Sequence, residues 1–445
     1  VPLRLRRIIY WSFIALFLLV APILVLYSMG YRYHWGKNRI EATGLIMLDG
    51  MPRDATVRID GVIRAQRLPA RIGGLGENEY TIRIEREGFH PWEQRVVVAS
   101  GRTTLATDVL LFRDALPTLE LALAAARPAI SADGAWLAFS RRLASLEELW
   151  IMDLSTGTRT LALRTSGTPN PRAQTAGLTF TWSPRDATLL VITASDAFTI
   201  DPHDARHPRS LATALPRRPS AITWELGSAH ALVATVDGRL QRISLLTGRT
   251  AALAATVPEG PFAVARGSLF TAAERALTVT AIDGGASKTI ATEAATITSF
   301  VDLRGSVLTA EAAREHRILD IELTTGNVRT RTGYGLRRSA RDDVAIWNES
   351  TFELWGESGD PPRPRILARR DAPIVGAAWH PNAPYILLAT GTDITAVDTR
   401  IPTRAPVALA SFDDLTAIAT DRIGTTLWII GRRGTTSGLW ALPLK

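Results

Sequence analysis

Few residues in this chain have the types and spacing that catalysis or ligand chemistry needs. His203, Asp204 and His207 lie in one short segment. Two imidazoles four positions apart share a face only on a helix, and Pro202 and Pro208 flank this pair, so a polar loop is expected and not a metal site. Asp342-Asp343 is an acidic pair. Glycoside chemistry needs carboxylates that converge across a bond, whereas adjacent ones fit a turn between strands. Ser131-Ala132-Asp133-Gly134 and Asp237-Gly238 have calcium-loop residue types but read as turns. No His-Glu-x-x-His, phosphate-cradling Gly-Lys motif or nucleophile-elbow serine is present, and with 0 cysteines no thiol is available. The expectation is therefore a non-enzyme with no catalytic residue, cofactor or metal. The candidates that remain are contact loops, where binding usually resides. Residues 165–177 are rich in Pro, Gly and Asn and offer Pro169, Asn170, Pro171 and Arg172. Residues 356–364 offer Pro361, Pro362 and Arg363.

The elements that would position such loops are strands. From Pro128 to Leu163 the turn signals Ser131–Gly134 and Ser155–Gly157 separate short runs rich in β-branched and aromatic residues, which predicts one four-stranded antiparallel sheet. One such sheet cannot bury both faces and needs neighbours of its kind. Further copies open at Leu178 to Pro184 and Val375 to Pro381, with weaker ones near Ala221, Pro261, Thr298, Gly335 and Asp414. Eight starts at a period of roughly 35–50 residues, with no helix-length periodicity, predict an eight-bladed β-propeller over residues 115–445, or seven blades if two weak repeats are one. Leu119 to Leu123 precedes the first repeat without a sheet of its own, and the last repeat lacks a fourth strand. Pairing between them would close the ring and leave no open edge. Tryptophans such as Trp136, Trp150, Trp347, Trp355, Trp428 and Trp440 occupy strand or strand-turn positions, which suits packing between sheets better than a sugar platform.

Ile8 to Met29 is an uncharged run of about 22 residues, enough for a hydrocarbon core of roughly 30 Å. Arg4, Arg6 and Arg7 precede it, and Tyr10, Trp11, Tyr27, Tyr31, Tyr33 and Trp35 mark its flanks. A cleaved signal peptide would have a shorter apolar region and a better site than Leu26-Tyr27-Ser28-Met29. The expectation is a cytoplasmic residue 1–7 segment, a transmembrane helix at 8–29, a linker at 30–42 and all later residues outside the cytoplasmic membrane. The formal charge of +8 rests on arginines scattered along the chain. No basic stripe interleaves with aromatics, so no nucleic-acid partner is expected.

Residues 43–114 read as a small β-sandwich. Gly44 to Gly50, Ala55 to Ile59, Tyr80 to Ile84, Gln94 to Ala99 and Thr104 to Phe112 alternate, and Asp60-Gly61 is a hairpin signal. Pro52-Arg53-Asp54-Ala55-Thr56-Val57-Arg58-Ile59-Asp60-Gly61 resembles the signature of the PEGA domain family, with Arg53-Asp54 in place of the Glu-Gly pair. Leu68-Pro69, Gly74-Leu75, Tyr80 to Ile84 and Gly88-Phe89-His90-Pro91-Trp92 follow in the family's order, so the likeness covers most of residues 43–112. It implies a surface module of envelope proteins and assigns no catalytic residue. Ser131 to Phe139 with Leu149 to Leu154 resembles the WD-like repeats of TolB-type propellers, and Trp182-Ser183-Pro184 and Trp379-His380-Pro381 echo their turn. Such propellers also precede serine peptidase domains, but no such domain is expected after Lys445.

Together these expectations describe an all-β chain with one N-terminal transmembrane helix, a PEGA-like sandwich and a propeller. Its role would be binding or scaffolding among proteins or polymers of the bacterial cell envelope, and its oligomeric state is not set. A propeller hydrolase or lyase, or a subunit of a secretion, pilus or surface-layer assembly, are the alternatives.

Overall fold

The structure is a computed structural model that describes residues 3–28, 31–34, 39–122, 128–143, 146–166, 178–215, 217–257, 260–282, 285–292, 295–333, 335–338, 344–348, 353–358, 363–401 and 404–445. The chain divides into two compact units, residues 1–116 with 443–445, and residues 117–442.

The first unit opens with one α-helix, Leu3–Ser28. Side chains are described over residues 9–25, where Trp11, Phe13, Phe17 and Leu24 are exposed. Among the described residues no helix is long and apolar enough to cross a membrane. This overturns the expected transmembrane helix at residues 8–29. The expected linker contains a two-stranded hairpin, Tyr31–His34 against Arg39–Ala42.

A sandwich follows. One sheet has three strands, ordered Ala70–Leu75, Gly44–Met51 and Thr103–Leu110, the last pair parallel. The other has four, ordered Val62–Ala65, Thr56–Ile59, Asn78–Glu85 and Trp92–Val98. Period-two alternation turns Ile46, Leu48, Val57, Ile59, Ile82, Ile84, Trp92, Val96 and Val98 into one shared core. Full burial of each large aliphatic or aromatic side chain contributes about 1.5–3 kcal/mol. Asp60 and Gly61 have φ of 48° and 81°. Two successive positive φ values are what a two-residue hairpin between right-twisted strands demands, and Gly61 adopts its value without Cβ strain. Phe89 packs at the border of the core, with the Arg86 guanidinium 4.8 Å from its ring centre.

Among the described residues the second unit has eight four-stranded antiparallel sheets. Seven are simple meanders, here blades 1–7, covering residues 129–166, 179–210, 221–256, 262–291, 299–332, 335–369 and 374–411. Blade 8 takes three strands from residues 414–443, and its outermost strand is Thr118–Ala122. Thr118 pairs with Ala441, Leu119 with Trp440, Leu121 with Leu439 and Ala122 with Gly438. Gly438 must be glycine here: a Cβ would stand 2.3 Å from the Leu121 carbonyl oxygen.

Each blade buries its apolar faces against the next. Ala138 and Leu149 of blade 1 meet Leu189 and Val191 of blade 2. Val233 and Leu240 of blade 3 meet Val264 and Leu269 of blade 4, and Leu354 and Leu367 of blade 6 meet Ile386 and Leu388 of blade 7. The ring closes where Leu137, Phe139 and Met152 of blade 1 join Trp428, Ile430 and Leu439 of blade 8. Thr118–Ala122 thus shares one sheet with the strands of residues 414–443, and no outermost position in blade 8 is left empty.

Candidate interaction surfaces

The expected contact loops give no geometry. Pro169, Asn170, Pro171, Arg172, Pro361 and Pro362 lie outside the described residues, as do Asp342 and Asp343. Arg363 begins the outermost strand of blade 6, its backbone paired with Ser358.

The His203–His207 segment is one 3₁₀ turn, Pro202–Asp204, capped by Asp201, whose carboxylate accepts from the His203 amide at 3.0 Å. His207 Nδ1 and Asp204 Oδ1 are 2.5 Å apart, while the His203 ring meets Trp136 edge-on with centroids 5.0 Å apart. Among the described residues no group of three His, Cys, Asp or Glu converges on a metal position. The two acidic turns are structural. Ser131 Oγ donates to Asp133 Oδ1 at 2.5 Å and accepts from the Trp136 amide at 2.9 Å. Asp237 and Gly238, with φ of 49° and 73°, form a tight hairpin, and Asp237 pairs with Arg217 at 2.6 Å.

The tryptophans tie the ring together. Trp182 Nε1 on blade 2 donates to the Ala129 carbonyl of blade 1 at 2.8 Å, and Trp224 Nε1 on blade 3 to the Thr181 carbonyl of blade 2 at 3.3 Å. A second device recurs in blades 1 and 6 and escaped the reading of the sequence. Glu148-Leu149-Trp150 and Glu353-Leu354-Trp355 each sit on a third strand at a β-bulge. Each indole Nε1 donates at 3.0 Å to the glutamate two residues earlier. Each glutamate is gripped by an arginine from the fourth strand, Arg164 at 2.7 Å and Arg369 at 2.9 Å. The signal was present as Glu-Leu-Trp followed by Arg at the same spacing in both copies. Donation from Trp150, then from Arg164, holds the Glu148 carboxyl below the usual glutamate range.

Thr179, Thr181, Thr223, Ser299 and Thr416 are the exposed hydroxylated positions of the innermost strands. At one mouth, where first and second strands join, charges cross the ring. Arg185 of blade 2 donates from Nη2 to Asp302 Oδ1 of blade 5 at 2.7 Å and to the Leu303 carbonyl at 3.4 Å. Arg304 Nε donates to Asp302 Oδ2 at 2.8 Å. Gly227 of blade 3, with φ of 74°, lets this approach occur, since its Cβ would lie 3.2 Å from the Leu303 carbonyl oxygen. On the other face, Arg370 is half-buried and donates to Thr395 Oγ1 at 2.6 Å. Desolvation lowers its pKa, with Asp371 and Asp393 opposing.

Residues 43–110 match the PEGA domain model. No curated protein matches the chain in sequence. Among solved structures, the chain is similar to the WD40 domain of SCAP from fission yeast, at 12% identity over 74% of this chain and 96% of that one, with a TM-score of 0.43. It is also similar to virginiamycin B lyase from Staphylococcus aureus, at 14% identity over 59% of this chain and 90% of that one, with a TM-score of 0.37.

Proposed function

We propose that this chain is a binding and scaffold protein of the bacterial cell envelope, presenting a PEGA module and a propeller to other proteins. The observation that carries the reading is the closed ring of eight sheets, sealed by Thr118–Ala122 on Thr436–Pro443. Charged side chains join blades, as in Arg185–Asp302–Arg304, and brace strands within a blade, as in Trp150–Glu148–Arg164. Such a ring is a rigid platform whose loops are free to vary without cost to the core. The PEGA match supports the envelope assignment. Affinity capture of the tagged full chain after cross-linking in cells, followed by mass spectrometry, tests the proposal. A reproducible envelope protein cross-linked to the PEGA module or to propeller loops supports it. Turnover in a screen of envelope glycans and peptides, without any cross-linked neighbour, would replace it with an enzyme.

A further inference from the structure

The sandwich of the first unit keeps one sheet edge unguarded. An edge strand is a template for another strand, and short length, charge or a local kink ordinarily blunts it. Val62–Ala65 has 4 residues and carries Arg64. Ala70–Leu75 carries Arg71 and bends at Gly74, whose φ is 74°. Trp92–Val98 carries Glu93 and Arg95. The remaining edge strand, Thr103–Leu110, runs 8 residues, and its residues 103–107 include no charge, glycine or proline.

Thr103–Leu110 pairs only with the parallel strand Gly44–Met51. Leu45 lies opposite Thr103, and its amide donates to the Arg102 carbonyl at 3.1 Å. Along a parallel ladder, alternate residues turn their backbone groups to the same neighbour. Thr104 and Ala106 therefore face Gly44–Met51, while the N–H and C=O groups of Thr103, Leu105 and Thr107 face outward. Side chains alternate as well. Leu105 is 64% exposed beside its register partner Met47, which is 36% exposed. Thr104, on the opposite face, reaches the other sheet by donating from Oγ1 to the Val97 carbonyl at 3.2 Å. That contact uses a side chain and not the outward backbone groups.

The outward groups read alike in both directions. An antiparallel copy of the same strand, centred on Leu105, sets Leu105 against Leu105, Thr103 against Thr107 and Arg102 against Asp108. All the outward residues then fall at hydrogen-bonded pair positions. Leucine and threonine meet their own kind across the strands, and opposite charges meet at both ends, which are favourable cross-strand pairs. Arg102 is exposed and makes no ion pair among the described residues. Met47 and Leu105 of both copies would line up on one face of a continuous sheet. Such self-complementarity is what a two-fold interface requires. We infer that the PEGA module self-associates, with residues 103–107 of one chain pairing antiparallel to the same residues of a second copy. The inference concerns this module alone and does not rest on the scaffold reading.

Sedimentation velocity of the full chain over a wide concentration range tests this. A monomer–dimer equilibrium is expected. Because the two-fold axis passes through Leu105, Leu105→Glu and Leu105→Lys each bring like charges together and should raise the dissociation constant about tenfold or more. An equimolar mixture of the two variants places opposite charges at the axis and should return to within about threefold of wild type. Val62→Glu, on another exposed edge, should leave the equilibrium unchanged, and thermal unfolding of all three variants should match wild type. A wild-type chain that stays monomeric, a dimer unmoved by Leu105→Glu, or a mixture that fails to recover would overturn the inference.

Discussion

Replacing Gly438 by alanine strikes the ring at its closure. The new Cβ would stand 2.3 Å from the Leu121 carbonyl oxygen and 2.7 Å from Leu119 Cδ1. Ordinary contact begins near 3.4 Å, so Thr118–Ala122 must retreat by about 1 Å, which stretches hydrogen bonds of ~2.9 Å beyond useful range. Loss of the two bonds nearest Gly438 costs about 1–3 kcal/mol. Partial withdrawal of Leu121 from the cluster it shares with Leu137, Phe139 and Trp428 adds roughly 1 kcal/mol. The sum is ~2–4 kcal/mol. With an unfolding entropy of about 2.1 cal/mol/K per residue over a unit of roughly 330 residues, this lowers the melting temperature by about 3–6 °C. Gly391→Ala is the control, since its Cβ would meet nothing within 4 Å. Thermal unfolding followed by tryptophan fluorescence measures both. Wild-type melting of Gly438→Ala, or an equal fall in Gly391→Ala, would refute the reasoning.

Three further outcomes are expected. Glu148 has a folded pKa below its unfolded one, so its stabilisation is complete above the unfolded value and disappears as pH falls through the folded value. Glu148→Gln should therefore flatten the acid limb of the stability profile below about pH 4–5, and an unchanged limb would exclude this role. A double-mutant cycle with Arg185→Ala and Asp302→Ala should give a coupling of about 1 kcal/mol for their partly shielded pair; zero coupling would mean that the cross-channel tie is not formed in solution. Trp92→Ala empties the centre of the sandwich core and should cost about 3–5 kcal/mol in denaturant unfolding, whereas a loss below ~1 kcal/mol would contradict that core.

The repeat was legible because its physics is local. Turns such as Ser131–Gly134 need particular residues at particular places, and first strands begin at 129, 179, 221, 262, 299, 335, 374 and 414, close to the eight starts read from the sequence. The pairing of Thr118–Ala122 with the last blade was legible from a count of strands at the two ends. The short edge strand Val62–Ala65 was not: it has no alternation and takes its place from its neighbour. The helix misled for a different reason. Its uncharged apolar run predicted a span, and among the described residues no helix is long and apolar enough to cross a membrane. The site was harder to read. Arg185 and Asp302 are far apart in sequence and meet only once the ring is closed. The Glu-Leu-Trp–Arg device was readable in principle, but its meaning depends on a β-bulge that turns the indole back onto the glutamate.

Ring closure is most directly tested by cross-linking its seam. The chain contains 0 cysteines, so Thr118→Cys with Ala441→Cys introduces the only thiols. Treatment of the dilute folded protein with a short bis-maleimide, then proteolysis and mass spectrometry, reads the connection. A closed ring predicts an intramolecular 118–441 cross-link in most molecules, abolished by prior unfolding in denaturant. Its absence from the folded monomer, or its appearance only between chains, would contradict a closed ring.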